Sequence, residues 1–189
     1  MNRKELAKRI YKISSIKGNF TLRSGVKSTE YFDKYLFESD PVILREIANQ
    51  ISELLPENSE ILSGLEMGGI PLSTALSLKT GIKTLFVRKH AKEYGTCKSV
   101  EGGAVKGKKI VIIEDVVTSG GAVIHAISDL RKQGGDILCV ICVIDREAFG
   151  KEKIEKLGIK LYSLFTKSYL DKINILNIKY SSFALRFCA

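Results

Sequence analysis

Near the N-terminus, Leu6, Ile10 and Ile13 recur at helical spacing among charged residues, which predicts an amphipathic helix over residues 3–17. Short extended pieces are expected next, at 20–22 and 31–37. A second helix is predicted over 41–55, with Asp40 as N-cap, Pro41 in the first turn, and Ile43, Ile47, Ile51 and Leu54 along one face. Beyond it the hydrophobic period switches repeatedly between strand and helix. Strands are predicted at 60–63, 82–88, 109–114, 136–145 and 159–165. Helices are predicted at 71–79, 120–133 and 150–157, and a long polar loop at 89–107. This alternation defines an α/β fold with a central, mainly parallel sheet flanked by helices. No internal repeat, low-complexity block or linker interrupts it. The last stretch, 173–189, is apolar without readable turn chemistry. An added strand, a packing tail and a partner surface all stay open for it.

A chain of 189 residues fits one domain with a core of ordinary size. Its 44% hydrophobic and 27% charged residues are the balance of a folded globular protein, so disorder is not expected. It holds no run of about 18 apolar residues, and no membrane span is expected. The opening MNRKELAKRIYKI lacks the apolar centre of a secretory signal, so the expected location is the cytoplasm. Lys and Arg number 30 against 21 Asp and Glu, a net charge of +9. That excess suits an anionic, phosphorylated partner. It is scattered, with no run of five basic residues, and gives nucleic acid no specific support. Cys139 and Cys142 form a C-x-x-C inside the apolar run ILCVICVID. Three apart on a strand, they point to opposite faces and cannot hold one ion. All four cysteines are read as reduced thiols.

Most of the readable chemistry lies in IVIIEDVVTSGGAV, residues 110–123. An apolar strand delivers Glu114 and Asp115 at its C-terminal end, where open α/β sheets bind ligands. Val116 and Val117 follow, then Thr118, Ser119, Gly120, Gly121 and a helix. Glycines let successive N–H groups approach a phosphate, and a helix N-terminus adds free donors and partial positive charge. The hydroxyls of Thr118 and Ser119 add further donors. Two carboxylates would repel a bare phosphate, but they can accept hydrogen bonds from ribose hydroxyls. A sugar phosphate is therefore the expected ligand. The plainer alternative is a strand-to-helix turn with a Thr or Ser cap, for which the acid pair is superfluous.

This segment resembles the motif that binds phosphoribosyl pyrophosphate (PRPP) in type I phosphoribosyltransferases: apolar strand, two acids, T-x-G, helix. Further segments resemble the orotate phosphoribosyltransferase family in particular, including the transferase half of UMP synthase. One is FTLRSGVKSTEYFD, residues 20–33, with Arg23 and the aromatic pair Tyr31 and Phe32. Another is GLEMGGIPLSTALS, residues 64–77, a Gly-rich turn opening a helix, whose free backbone N–H groups suit the pyrophosphate and which on local grounds reads equally as a close-packed turn. A third is VRKHAKEYGTCKSVEGG, residues 87–103, a cationic loop with Arg88, Lys89, Lys92 and Lys98. The last is Asp145-Arg146 with Gly150, matching D-R-x-x-G. On local grounds alone, the first reads equally as a solvated arginine before a buried-ring strand, and the last as a salt-bridged strand end.

The resemblance covers about residues 18–165 and implies a type I phosphoribosyltransferase fold. The transferase domain would span 1–172, with a small N-terminal hood from about 1–40. The implied reaction joins orotate to PRPP with Mg²⁺, forming orotidine 5′-monophosphate and pyrophosphate in de novo pyrimidine (UMP) biosynthesis. Implied catalytic residues are Lys92, Glu114 and Asp115. The same residues would also contact PRPP, together with Arg88, Lys89, Tyr94, Val116, Val117, Thr118, Ser119, Gly120 and Gly121. Arg23, Tyr31, Phe32, Thr118 and Arg146 would bind orotate. The Mg²⁺ would be held mainly by PRPP oxygens rather than by protein ligands. A homodimer is implied, with loop 89–103 reaching the neighbouring site. Association with orotidine 5′-monophosphate decarboxylase is compatible with this reading, since 189 residues leave no room for that second domain. Two departures stand out: Gly68, where family members often carry a lysine, and Tyr94, where many bacterial members carry a histidine. A purine phosphoribosyltransferase and a PRPP-sensing regulator that binds RNA or DNA are the alternatives. The R-S-G-x-x-S and D-R-x-x-G segments argue against the first, the acid pair and cationic loop against the second.

Overall fold

A computed structural model describes residues 1–21, 25–89 and 99–174. Helix α1 spans Arg3–Ser14. The Asn2 side chain caps it by accepting from the Glu5 N–H at 2.9 Å. It stops three residues before the predicted end because strand β1, Ser15–Thr21, starts there and pairs antiparallel with β2, Lys27–Phe32. Gly18 and Asn19 are poor helix formers, and the Ser15 hydroxyl is held by Glu30 across the hairpin. The predicted extended piece at 31–37 is also corrected. Asp33 accepts from the Tyr35 N–H at 3.0 Å and starts a short helix, α2, Lys34–Ser39, which buries Phe37. Helix α3, Pro41–Ser52, follows with its predicted cap: Asp40 accepts from the N–H groups of Val42 and Ile43, each at 2.9 Å.

The main sheet is built from β3 (Ile61–Leu65), β4 (Lys83–Val87), β5 (Val100–Glu101), β6 (Lys109–Val117), β7 (Asp136–Asp145) and β8 (Lys160–Thr166). Helices α4 (Gly69–Thr80), α5 (Gly121–Lys132) and α6 (Gly150–Glu155) connect them. Residues 167–174 form a further helix, α7. The strand order is β5-β4-β3-β6-β7-β8, parallel except for β5 on β4. The predicted α/β, mainly parallel architecture is thus observed. The chain runs outward from β3 to β4, then crosses back to lay β6 on the other side of β3. That reversal makes the C-terminal ends of β3 and β6 the switch point of the sheet, where a crevice for ligands opens.

Each face of the sheet is covered by helices. On one face Leu62, Val111, Ile113, Ile141 and Val143 pack against Leu6, Ile10, Phe37, Ile47 and Leu76. On the other, Ile110, Ile112, Val140 and Leu161 pack against Val123, Ile127, Leu130 and Ile154. Cys139 belongs to the first core and Cys142 to the second, both as free thiols, as their strand spacing requires. Leu170 and Ile173 of α7 join the first core, so the chain beyond β8 begins as a packed helix. Residues 175–189 lie outside the described residues. No helix among the described residues is long and apolar enough to cross a membrane.

Candidate active site

Strand β6 runs three residues beyond its predicted end. Glu114 and Asp115 therefore sit within the paired strand, at 9% and 0% exposure. Adjacent strand residues face opposite sides of a sheet, so the two carboxylates diverge. Burial, then the neighbouring Asp115 charge, pushes the Glu114 carboxyl well above the ordinary carboxylate range. Val116 and Val117 complete the strand and leave Thr118 and Ser119 exposed at its tip. Gly120 adopts a left-handed φ of 75° and turns the chain into α5. No side chain caps α5, so the alternative of a Thr or Ser capping turn does not describe this segment. The first N–H groups of the helix are left for another acceptor.

The loop after β7 is fastened onto this turn. Arg146 donates its backbone N–H to the Val117 carbonyl at 2.9 Å. A Cβ on Gly150 would collide with the Thr118 carbonyl and lie 2.7 Å from Val117 Cγ1 and 3.0 Å from the Gly120 nitrogen. Only glycine fits at that approach. Asp145 is buried and accepts from the Glu147 N–H at 2.9 Å, shaping the loop that presents the exposed Arg146. The D-R-x-x-G segment is therefore one wall of the turn after β6.

The turn after β3 lies against the end of the neighbouring β6, with Gly68 at the Asp115 carboxylate. It contains a cis Glu66–Met67 peptide and leads through Gly68 and Gly69 into α4. Glu66 accepts from the Lys89 backbone N–H at 2.9 Å, tying this turn to the end of β4. Arg88 and the exposed Lys89 thus stand at the C-terminal edge of β4. They border a cavity of about 410 Å³ shared with Ser99, His125 and Lys132.

The hood-side residues are only partly brought together. Tyr31 and Phe32 point to opposite faces of β2. Phe32 packs against the core and Tyr11, while Tyr31 is exposed beside Phe20, with ring centroids 5.4 Å apart. Of the pair, Tyr31 is the ring open to a ligand. Arg23, Lys92, Tyr94 and Lys98 lie outside the described residues.

Two residues not singled out in the sequence join the site from α2. Lys34 Nζ lies 2.5 Å from Asp115 Oδ2. Burial disfavours the Lys34 charge, but Asp115 and Glu114 outweigh it and hold its pKa above the ordinary lysine value. Glu38, four residues on, is buried, and burial followed by the adjacent Asp115 pushes its carboxyl up to about 9. At ordinary pH Glu38 is an uncharged acid. No local pattern marks residues 34 and 38, because their role depends on a strand about 80 positions away.

An acid pair at the sheet switch point thus lies beside an uncapped glycine turn, with the backbone turn after β3 closing onto Asp115. The sequence pattern of the phosphoribosyl transferase domain matches residues 41–164. The chain is 47% identical over 166 residues to the orotate phosphoribosyltransferase of Nocardioides sp. strain JS614, covering 88% of this chain and 93% of that protein. The chain belongs to the phosphoribosyltransferase family and, within it, to the orotate phosphoribosyltransferases. The Mycobacterium tuberculosis orotate phosphoribosyltransferase solved in complex with PRPP is similar at a TM-score of 0.77 and 26% identity, over 89% of this chain and 98% of that one. Leishmania donovani UMP synthase is similar at a TM-score of 0.77 and 26% identity, over 92% of this chain and 38% of that larger one.

Proposed function

We propose that this protein transfers the 5-phosphoribosyl group of PRPP to orotate, forming orotidine 5′-monophosphate and pyrophosphate on the route to UMP. The observation that carries the reading is the run from Glu114 to the uncapped α5, which sets two acids beside an anion-binding turn at the switch point. The base preference rests on the relationship to the Nocardioides enzyme and on Arg146, held beside the phosphate turn where a carboxylated base could reach it.

In this reading the backbone and hydroxyls of Thr118, Ser119, Gly120 and Gly121 anchor the 5′-phosphate behind Val116 and Val117. Glu114 and Asp115 orient the ribose, Glu114 from the less covered position. The C1–O bond to pyrophosphate breaks, positive charge develops on the ribosyl ring, and N1 of the orotate anion bonds to C1. Arg88, Lys89 and Lys92 stabilise the departing pyrophosphate, with Tyr94 in the same loop, and Arg23, Tyr31 and Arg146 position orotate. Phe32 supports Tyr31 from the core side.

Among the described residues no group of three or more His, Cys, Asp or Glu side chains could hold a metal ion. In this reading a Mg²⁺ would arrive on PRPP and be held mainly by its oxygens. When bound, the ion offsets charge on the pyrophosphate. Two copies would form a homodimer in the cytoplasm, loop 89–103 of each closing over its partner's site.

Incubation with PRPP, Mg²⁺ and orotate tests the reading. The expected result is loss of orotate absorbance matched by pyrophosphate release. Turnover with a purine and none with orotate would overturn the base assignment.

A further inference from the structure

Asp115, the acid Glu38 and the Lys34 ammonium meet where α2 reaches the end of β6, and Glu114 lies next along the strand on its other face. Asp115 is wholly buried, and Glu38 and Glu114 are 6% and 9% exposed. Lys34 is the one cation paired to them among the described residues, 2.5 Å from Asp115 Oδ2, with its side chain one-third exposed at 33%. The turn after β3 closes onto the same point. A Cβ on Gly68 would overlap the Asp115 carboxylate and lie 2.7 Å from Glu38 Oε1. The other Asp115 oxygen accepts from the Val116 N–H at 2.5 Å. One side chain thus touches α2, the turn proposed for pyrophosphate and the strand end proposed for ribose.

A buried carboxylate without a counterion is costly, several kcal/mol in typical cases, and escapes by rotating away or taking a proton. Both routes are poor for Asp115 while Lys34 is present. Removal of the ammonium leaves the buried Asp115 carboxylate with no cation among the described residues, beside the acid Glu38. The spacing between the Gly68 turn and the end of β6 then loses the charge pair that fixes it.

Resting on the PRPP-dependent reading above, we propose that Lys34 is a positioning residue for the transfer reaction. Its ammonium holds Asp115 under the Gly68 turn, so that the ribose and pyrophosphate ends of the PRPP site keep one fixed separation. Lys34 acts through Asp115 and leaves orotate recognition to other residues. Phosphoribosyl diphosphate chemistry is where this matters, because both ends of one substrate must be gripped at once.

The test is a double-mutant cycle on the full chain, using Lys34→Met, Asp115→Asn and the pair, with Lys34→Arg as the charge-keeping control. Steady-state constants are measured separately for PRPP and orotate, with PRPP binding followed by calorimetry. Lys34→Met is expected to raise KM for PRPP and lower kcat, together by tenfold or more, with KM for orotate changed less than threefold. Lys34→Arg should recover most of the loss. In the Asp115→Asn background, Lys34→Met should cost less than a further twofold. The pair removes charge and counterion together, so it reports even where Lys34→Met alone does not fold. Independent, multiplying losses would overturn the proposal, as would equal losses for both substrates or an unchanged KM for PRPP. Absence of orotate turnover by the unaltered chain would instead fail the function. The calorimetric PRPP affinities would still decide the Lys34–Asp115 coupling.

Discussion

Arg146 and Val117 are joined through a 2.9 Å backbone hydrogen bond, which fastens the loop after β7 to the glycine turn after β6 as one wall. Gly150 seals the wall by lying against Thr118 and Gly120. Gly150→Ala forces a methyl into the Thr118 carbonyl. The expected cost is about 1–3 kcal/mol of stability, the usual scale of overpacking. KM should rise for PRPP and for orotate alike, since the displaced loop carries Arg146. Thermal melts and steady-state kinetics check this, and a change confined to one substrate would refute the shared wall.

Glu114 is the less covered of the two acids proposed to orient the ribose. Glu114→Gln preserves shape and removes a carboxyl that burial holds towards its neutral form. The expected loss is about 0.5–1.5 kcal/mol of PRPP binding, the scale of a hydrogen bond between uncharged groups. Isothermal titration with PRPP and Mg²⁺ measures it. Orotate affinity should stay within a factor of two.

Glu38 gives the protein a pH-dependent stability with a definite sign. Its folded carboxyl is held up to about 9, far above the unfolded value. Below the ordinary carboxyl range both states hold the proton and the contribution is complete. As pH rises, the unfolded chain ionises while the folded one keeps its proton, so stability falls until about pH 9 and then levels. Glu38→Gln cannot ionise. Its Tm advantage over the unaltered chain should therefore grow between pH 5 and pH 9, each kcal/mol showing as about 2–4 °C at this chain length. Melts at three pH values suffice, and a constant difference would exclude the protonated form.

Lys92→Ala should lower kcat by about 10²–10³, the range for removing one donor to developing charge, while orotate binding changes little. If loop 89–103 serves the neighbouring site, mixing this variant with an Asp115→Asn variant should restore activity in heterodimers. Mixtures no more active than either parent would place Lys92 in its own subunit's site.

Much of this was legible in the sequence for local reasons. Asp40 and Pro41 mark a helix start because capping is a short-range hydrogen bond. The apolar run into Glu114 and Asp115 marks a strand end because burial imposes its composition. The segment 33–39 was not legible. Tyr31, Phe32, Tyr35 and Phe37 favour strands individually, and the single Asp33 cap that starts α2 is a weaker signal than four aromatic rings. The two-residue β5 owes its existence to pairing with Phe86 and Val87, which no local pattern encodes. Lys34 belongs to the site only because α2 is folded against β6, and that is a tertiary fact.

The crossing-back of the chain between β4 and β6 also governs when the site can exist. Ile61 pairs with Ile110, so the two halves of the ligand crevice are joined only after the intervening β4, β5 and their connections have been laid aside. Such a distant parallel pairing forms slowly. A ribosome-bound chain that has emerged only as far as β4 carries the Gly68 turn without its opposing wall. PRPP then acts as a late-stage clamp, binding and stabilising the chain only once β6 has docked.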